Sequence, residues 1–498
     1  MKIYIKNQSI LEFEGDVVIV NLSEGVKAPG GATGVVDKAL NGIIRKMINS
    51  GEITGKLGET AIIHTFGRLK ADKVLIVGLG KPNTFGPEEI RKASGAAITH
   101  ARQTNAKRVG SIVHGAGIGG LKPDIAARSL AEGTMLALYE FEEYKKTAEK
   151  KIKEFAILEL DKRKMQRFNK GAESGMILAQ AQNSARDLIN EPANNLTPKK
   201  LHQKLSSIIR DTGLEKTIKL ECLDRAYMKK LGMNALLSVT QGSDNEPQFI
   251  ILRIKNANKP LICLIGKTVT FDSGGLSLKP PVGMDRMKGD MSGGAAVIGA
   301  TLALAKAKSK INLMTIIPAV ENMPSGTASR PGDVVQAMNG KTIEIISTDA
   351  EGRMTLADAI CYAEKEKAKI IIDIATLTGG CVVALGDVTA AVMGNNQKLI
   401  DSLLDVSKQT GEKMWQLPLF EEYKKQIKSD IADMKNSGGR KASPITAGLF
   451  LQSFVDKVKW LHIDMAGKEI AEKKNFYTPV GGTGFGVRTL FEFLRKIT

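Results

Sequence analysis

A chain of 498 residues, 43% hydrophobic and 25% charged, is too long for one ordinary core and has enough apolar surface to fold without staples. Its net charge of +18, from 71 Lys+Arg against 53 Asp+Glu, is spread along the chain, so no basic tail marks a dedicated nucleic-acid binder. The cysteines Cys222, Cys263, Cys361 and Cys381 are scattered without a Cys-x-x-Cys pair, which argues against a disulfide framework and for a reduced, intracellular setting.

In chain order, the first six residues alternate like a strand and contain no apolar secretion segment, so a cytoplasmic location is expected. Residues 16–21, 73–78, 108–114 and 154–160 read as strands, with helical spacing over 88–103 and 125–139. This alternation predicts an N-terminal α/β domain over 1–168. An alanine-rich helical pattern then ends in Asn190-Glu191-Pro192, a run of turn residues, and marks a linking helix over 169–190. The remainder, 191–498, reads as a second, larger α/β domain. Its apolar runs at 261–265, 313–318, 370–374 and 460–463 do not alternate, as expected for strands covered on both faces of a mixed, mostly parallel sheet. Helical patterns follow at 295–306 and 356–365. The longest apolar stretch, 294–305, is too short to span a bilayer, so no membrane association is expected.

Within this second domain two stretches concentrate charge among glycines. One is Ser347-Thr348-Asp349-Ala350-Glu351-Gly352-Arg353; the other carries Lys267, Asp272, Lys279 and Asp290. Carboxylates are seldom buried unless paired or bound to metal, and four converging ones repel unless cations neutralise them. Asp272 follows the 261–265 strand and Asp349 follows the run 343–346, positions where sites form beyond strand ends. Asp349 and Glu351, two apart, would project the same way from an extended segment. None of the histidines His64, His100, His114, His202 and His462 lies here, so the pattern predicts a two-metal hydrolytic centre with oxygen ligands, suited to Mn²⁺ or Mg²⁺, with Zn²⁺ as an alternative. Lys267 can join such a shell only as a neutral amine, against a reference pKa of about 10.4, whereas Lys279 and Arg353 can stay charged and face developing negative charge.

These residues resemble the leucine (cytosol) aminopeptidases, whose loop Asn-Thr-Asp-Ala-Glu-Gly-Arg corresponds to 347–353. The segments Gly266-Lys267, Phe271-Asp272-Ser273-Gly274-Gly275, Glu321-Asn322-Met323-Pro324 and Ala375-Thr376-Leu377-Thr378-Gly379 match as well. The resemblance implies one metal held by Asp272, Asp349 and Glu351, and a second held by Lys267, Asp272, Asp290 and Glu351. It further implies that Lys279 polarises the scissile carbonyl, and that Arg353 anchors a bicarbonate ion that takes the proton from a bridging water. Met287, Thr376 and Leu377 would line the pocket for the first side chain. The implied activity is release of N-terminal residues, preferably Leu, from peptides by a bridging hydroxide, in a homohexamer with a small N-terminal α/β domain, a linking helix and a larger catalytic domain. Two departures stand out: Ser347 replaces Asn, and Thr268 follows Lys267 where Gly is common, which could shift the Lys267 loop.

Three rival readings remain. A metallophosphoesterase would usually recruit histidines. An oxidoreductase is suggested by Gly115-Ala116-Gly117-Ile118-Gly119-Gly120, a G-x-G-x-x-G pattern outside the first βα unit and without a ribose-binding acid. Nucleic-acid binding is permitted by the basic balance and the cluster Lys162, Arg163, Lys164, Arg167 and Lys170, but no DNA-reading motif accompanies it.

Overall fold

The computed structural model describes residues 1–116, 120–146 and 151–498. The chain divides into two compact units: Met1–Gln180 with Lys473–Pro479, and Ala181–Glu472 with Val480–Thr498. Both are α/β.

The first unit is built on six strands, β1 (Lys2–Asn7), β2 (Val17–Leu22), β3 (Thr60–His64), β4 (Lys73–Gly78), β5 (Arg108–Ser111) and β6 (Glu154–Glu159). Their order is β1-β6-β5-β2-β4-β3, parallel except for β3 against β4. The helices are α1 (Gly31–Ala39), α2 (Ile43–Ser50), α3 (Pro87–Gln103), α4 (Pro123–Ala137) and α5 (Lys162–Asn190), whose residues from Ala181 onward belong to the second unit. On β2, Val17 and Ile19 enter one apolar cluster while Val18 and Val20 enter the other. Both faces of the sheet are thus covered, which is why these strands read as continuous apolar runs. The segment 473–479 completes one of these clusters, with Tyr477 buried and its hydroxyl 3.0 Å from the Glu88 carboxylate. Gly58 and Gly95 make the notch for it: a Cβ on Gly95 would lie 3.0 Å from the Phe476 carbonyl, and one on Gly58 would lie 2.4 Å from the Phe476 ring. Of the Gly115–Gly120 motif, residues 117–119 lie outside the described residues.

The second unit carries β7 (Lys219–Leu223), β8 (Gln248–Lys255), β9 (Ile262–Gly266), β10 (Thr268–Asp272), β11 (Asn312–Asn322), β12 (Val334–Gln336), β13 (Thr342–Glu344), β14 (Ile370–Ala375), β15 (Ala390–Gly394), β16 (Met414–Gln416), β17 (Met434–Lys435) and β18 (Lys459–Asp464). The main sheet runs β16-β15-β18-β14-β9-β11-β8-β7, with β10 beside β11. Its centre, β18-β14-β9-β11, is parallel, and antiparallel strands flank it. The helix Ser292–Lys306 is buried from Ser292 to Ala305, and its small residues let it lie directly on the sheet. A Cβ on Gly293 would sit 2.2 Å from the Ile374 carbonyl of β14.

One local expectation is corrected. The run 343–346 is not a strand of the main sheet: β13 covers Thr342–Glu344 and pairs with β12 and β17 in a separate three-stranded sheet. Its apolar side chains are satisfied by a short side layer, which run length alone does not distinguish from a central strand. Among the described residues, no helix is long and apolar enough to cross a membrane.

Candidate metal centre

The charged residues converge beyond the carboxyl ends of the parallel strands. Lys267 follows β9, Asp272 ends β10, Asn322 ends β11, Thr376 follows β14 and Asp464 ends β18. The Lys267 backbone is fixed on both sides: its N–H donates to the Ile374 carbonyl at 3.0 Å and its carbonyl accepts from Gly294 N–H at 2.8 Å. Thr268 lies within β10, where its hydroxyl donates to the Gly266 carbonyl at 2.7 Å. It is absent from the residues of positive φ, so this position does not demand glycine.

Asp349 and Glu351 do not share an extended segment. Glu351 is the first residue of the helix Glu351–Lys365, where a carboxylate complements the helix dipole, and Asp349 lies in the turn before it. Glu351 is only 3% exposed, whereas the Asp349 side chain is 38% exposed.

Two lysines bind this acidic group together. Lys267 Nζ lies 2.8 Å from Asp290 Oδ1, 2.8 Å from Glu351 Oε1 and 2.8 Å from the Thr376 carbonyl. Lys279 Nζ lies 2.7 Å from Asp272 Oδ2 and 2.5 Å from Asp349 Oδ1. The Lys267 stem passes over Gly352, where a Cβ would come within 2.5 Å of its Cε. Burial alone would lower both amines. For Lys267 it is outweighed by Asp290, Glu351 and Asp272, and for Lys279 by Asp272, Glu351 and Asp349, so both are raised. Burial, reinforced by repulsion from Glu351, raises the Asp272 and Asp290 carboxyls.

Carboxylate oxygens of Asp272, Asp290 and Glu351 lie within 4.8 Å of one another. Asp290 Oδ2 is buried without a hydrogen-bond partner among the described residues. Such an orphaned anionic oxygen beside two other carboxylates fits a divalent cation with an oxygen-rich shell. Asp272 Oδ1, in contrast, is held in place: it accepts from Asn322 Nδ2 at 2.8 Å and from Gly274 N–H at 2.9 Å. Thr376 Oγ1 donates to Asp290 Oδ1 at 2.7 Å, so it orients a carboxylate in addition to standing beside the site. Met287 and Leu377 are half-buried and flank Asp290 and Thr376 in sequence; the Met287 carbonyl accepts from Asp290 N–H at 3.2 Å.

Arg353 is buried, its Nη1 donates to the Asn436 carbonyl at 2.8 Å, and its Nε has no partner among the described residues. Burial lowers this guanidinium to about 10. Asn436 also clamps Ser347, donating to its carbonyl at 2.7 Å and accepting from Ile346 N–H at 2.8 Å. Asp464 accepts from Leu377 N–H at 3.1 Å and from the Thr378 hydroxyl at 2.6 Å, fixing the loop after β14. Asn322 lies in the segment 321–324 that carries the resemblance, but no role was read for it; Asn436 and Asp464 lie in none of the matched segments, and the available signal was a polar residue closing an otherwise apolar strand, as at Asp464.

The family model described as "Cytosol aminopeptidase family, catalytic domain" matches residues 183–491, and that for the family's N-terminal domain matches residues 17–148. A protein named "Probable cytosol aminopeptidase" from Alkaliphilus metalliredigens is 41% identical over 503 residues, covering 100% of both chains. Another of that name from Geobacter sulfurreducens is 42% identical and covers 92% of each. Among solved structures, a mutant of tomato leucine aminopeptidase superposes with a TM-score of 0.88 at 32% identity, covering 100% of this chain and 96% of that one. The bottromycin maturation enzyme BotP in complex with Mn gives 0.85 at 32% identity, covering 97% and 99%. With catalytic and N-terminal models both matched and full-length relatives above 40% identity, this chain belongs to the cytosol aminopeptidase family and is a metal-dependent aminopeptidase.

Proposed function

We propose that the protein releases N-terminal residues, Leu among those preferred, from peptides at a pair of divalent cations. The observation that carries this reading is the buried acidic group with the orphaned Asp290 Oδ2. Asp272, Asp349 and Glu351 would hold one cation, and Asp272, Asp290, Glu351 and Lys267 the other, Lys267 giving up the proton that these carboxylates favour in the absence of a cation. Mn²⁺ suits this oxygen-rich shell and is present in the BotP structure; Zn²⁺ is the alternative. When bound, the cations supply Lewis acidity toward water and the scissile carbonyl.

The chain's own groups do the rest. Lys279, one-fifth exposed and held by Asp272 and Asp349, keeps its proton and offers it as a hydrogen bond to the carbonyl oxygen as negative charge builds there. Arg353 supports an anchoring role for bicarbonate, because its buried Nε–H needs an acceptor. That anion would receive the proton released by the attacking water. Thr376 and Asp464 keep the loop 376–378 rigid, and with it the pocket formed by Met287, Thr376 and Leu377 around the first side chain.

The test is Glu351→Ala, followed with Leu-p-nitroanilide and by metal content. Loss of at least about 10³-fold in turnover together with loss of bound Mn²⁺, at unchanged circular dichroism, is expected. Retained hydrolysis would overturn the ligand assignment, and turnover of p-nitrophenyl phosphate in place of the anilide would overturn the reaction class. The homohexamer carried by the resemblance is read by sedimentation velocity. The net charge of +18 supports a secondary affinity for DNA, read as a steep salt slope in a duplex titration.

A further inference from the structure

The loop that follows β18 has no part in the metal centre, yet its contacts fix it beside the pocket for the first side chain. At its start, Met465 N–H donates to the Ala375 carbonyl at 2.8 Å, one residue before Thr376. In its middle, Gly467 has a φ of +81°, and a Cβ there would lie 3.2 Å from Val382 Cγ2, on the helix Gly379–Leu385 that follows Leu377. At its end, a Cβ on Gly289 would come 2.9 Å from Ile470 Cδ1 and 3.6 Å from Glu469 Cγ. Gly289 stands between Met287 and Asp290 in sequence. The loop therefore runs from the Thr376 side of the pocket to the Met287 side, with the Glu469 side chain at the Met287 side. Its backbone is held there: Thr483 N–H donates to the Glu469 carbonyl at 3.0 Å, and the Thr483 hydroxyl to the Lys468 carbonyl at 2.6 Å.

The Glu469 carboxylate lacks a counter-charge. The residue keeps part of its surface exposed, so it borders space that a ligand can enter, while its Oε2 is buried without a hydrogen-bond partner among the described residues. The cations nearest in sequence and space are engaged elsewhere. Lys468 Nζ donates to the Gly386 and Ala466 carbonyls, Lys288 Nζ donates to the Asn190 carbonyl at 2.8 Å, and Arg286 pairs with Glu472. Burial raises the Glu469 carboxyl, and the backbone N–H groups of Glu469 and Gly467 with the charge of Lys468 only partly offset it. A carboxylate so placed is costly unless a cation comes to it. The rest of the pocket, Met287 and Leu377, is apolar.

We infer, resting on the peptidase reading above, that Glu469 determines specificity for the first residue, admitting one with an apolar stem and a cationic end, Lys or Arg, alongside Leu. Met287 and Leu377 take the methylene stem, as apolar surface does for long basic side chains. Glu469 Oε2 accepts from the ammonium or guanidinium, a charge-assisted hydrogen bond. A first residue ending in a carboxylate meets a like charge and is rejected.

The test is hydrolysis, by the metal-loaded, full-length protein, of two p-nitroanilides of equal length: that of Lys and that of 2-aminoheptanoic acid, in which a methyl replaces the ammonium. Leu-p-nitroanilide is run alongside. The kcat/KM should favour Lys over its uncharged counterpart by about tenfold or more, as for a hydrogen bond between charged groups. Glu469→Gln keeps the size and removes the charge. It should bring that ratio to one or below, because the ammonium then leaves water without a counter-charge, and the loss should fall mainly on KM for the Lys substrate. Glu469→Asp keeps the charge on a shorter arm and should preserve a preference for Lys. Each ratio compares two substrates on one protein sample, so a variant that loads metal poorly lowers both rates and leaves the ratio readable. The inference is overturned if the native protein cleaves the uncharged anilide as fast as that of Lys, or if Glu469→Gln keeps the preference. Native protein that cleaves Leu-p-nitroanilide without favouring Lys removes the role of Glu469 alone, whereas failure on all three anilides overturns the peptidase reading as well.

Discussion

The two units use one architectural idea and end in opposite chemistry. Each has parallel strands at the centre of a sheet covered on both faces, and in each a crevice lies beyond the strands' carboxyl ends. In the second unit that crevice is closed up around charge: Lys267, Asp290 and Glu351 are 2%, 8% and 3% exposed. Glycines at 266, 293 and 352 let backbone and lysine stem approach where no Cβ would fit. In the first unit the crevice stays open and mostly apolar, and its neighbouring histidine, His114, is buried and kept neutral. Topology therefore decides where a ligand can sit, while the side chains after each strand decide which ligand it is.

The sharpest way to break this contrast is to spoil the close approach in the second unit. Gly352→Ala puts a methyl 2.5–2.9 Å from Cε, Cδ and Nζ of Lys267. It should lower kcat/KM for Leu-p-nitroanilide about 10²-fold or more with the fold retained by circular dichroism, because displacements of this size are costly at a reacting centre. An unchanged rate would show that Lys267 tolerates displacement. Next in size, Thr376→Val removes the 2.7 Å hydrogen bond to Asp290 Oδ1. Competition against a chelator should then report a drop of roughly 10–100-fold in metal affinity, as for other groups that orient ligands.

The smallest effect belongs to the first unit. Burial lowers His114 to about 4 from an ordinary 6.5. Since its folded value lies below the unfolded one, the unfolded chain takes up a proton first. Stability is thus complete above about pH 6.5 and is lost as pH falls toward 4. At pH 5.5 the loss should be about 1 kcal/mol, seen as lower protection factors of β2 and β5 amides than at pH 7, once the slower intrinsic exchange at low pH is divided out. His114→Asn keeps an acceptor for the Asn21 amide, 3.1 Å away in the native protein, and should abolish this pH dependence. If the variant's protection factors still fall with acid, another group is responsible.

The sequence reveals what is periodic or local. Residues 73–78 form β4 as read, because burial on both faces leaves an unbroken apolar run. Both metal-centre stretches were visible as well, since a carboxylate beside glycine needs a reason. The partners that orient them were not. Asn322 sits in a matched segment, yet nothing local pairs it with Asp272, 50 residues away, or Asn436 with Ser347, 89 away, separations at which no local pattern survives. The extended reading of Asp349 and Glu351 failed for a related reason. A helix starting at Glu351 is fixed by the packing of residues 352–363, all buried, and a two-residue spacing does not register that. Ser347 retains a local function, its Oγ accepting from Asp349 N–H at 3.3 Å, so this departure from Asn keeps the turn before the helix braced.

The return of residues 473–479 to the first unit sets an order of events during synthesis. Residues 1–180 leave the ribosome early, yet the notch at Gly58 and Gly95 waits for Phe476 and Tyr477, which are translated nearly 300 residues later. Until then α3 presents an open apolar groove and Glu88 lacks its phenol partner. The first unit is therefore completed only after residues 181–472 of the second have been made, and a chain released before residues 473–479 leaves the first unit incomplete.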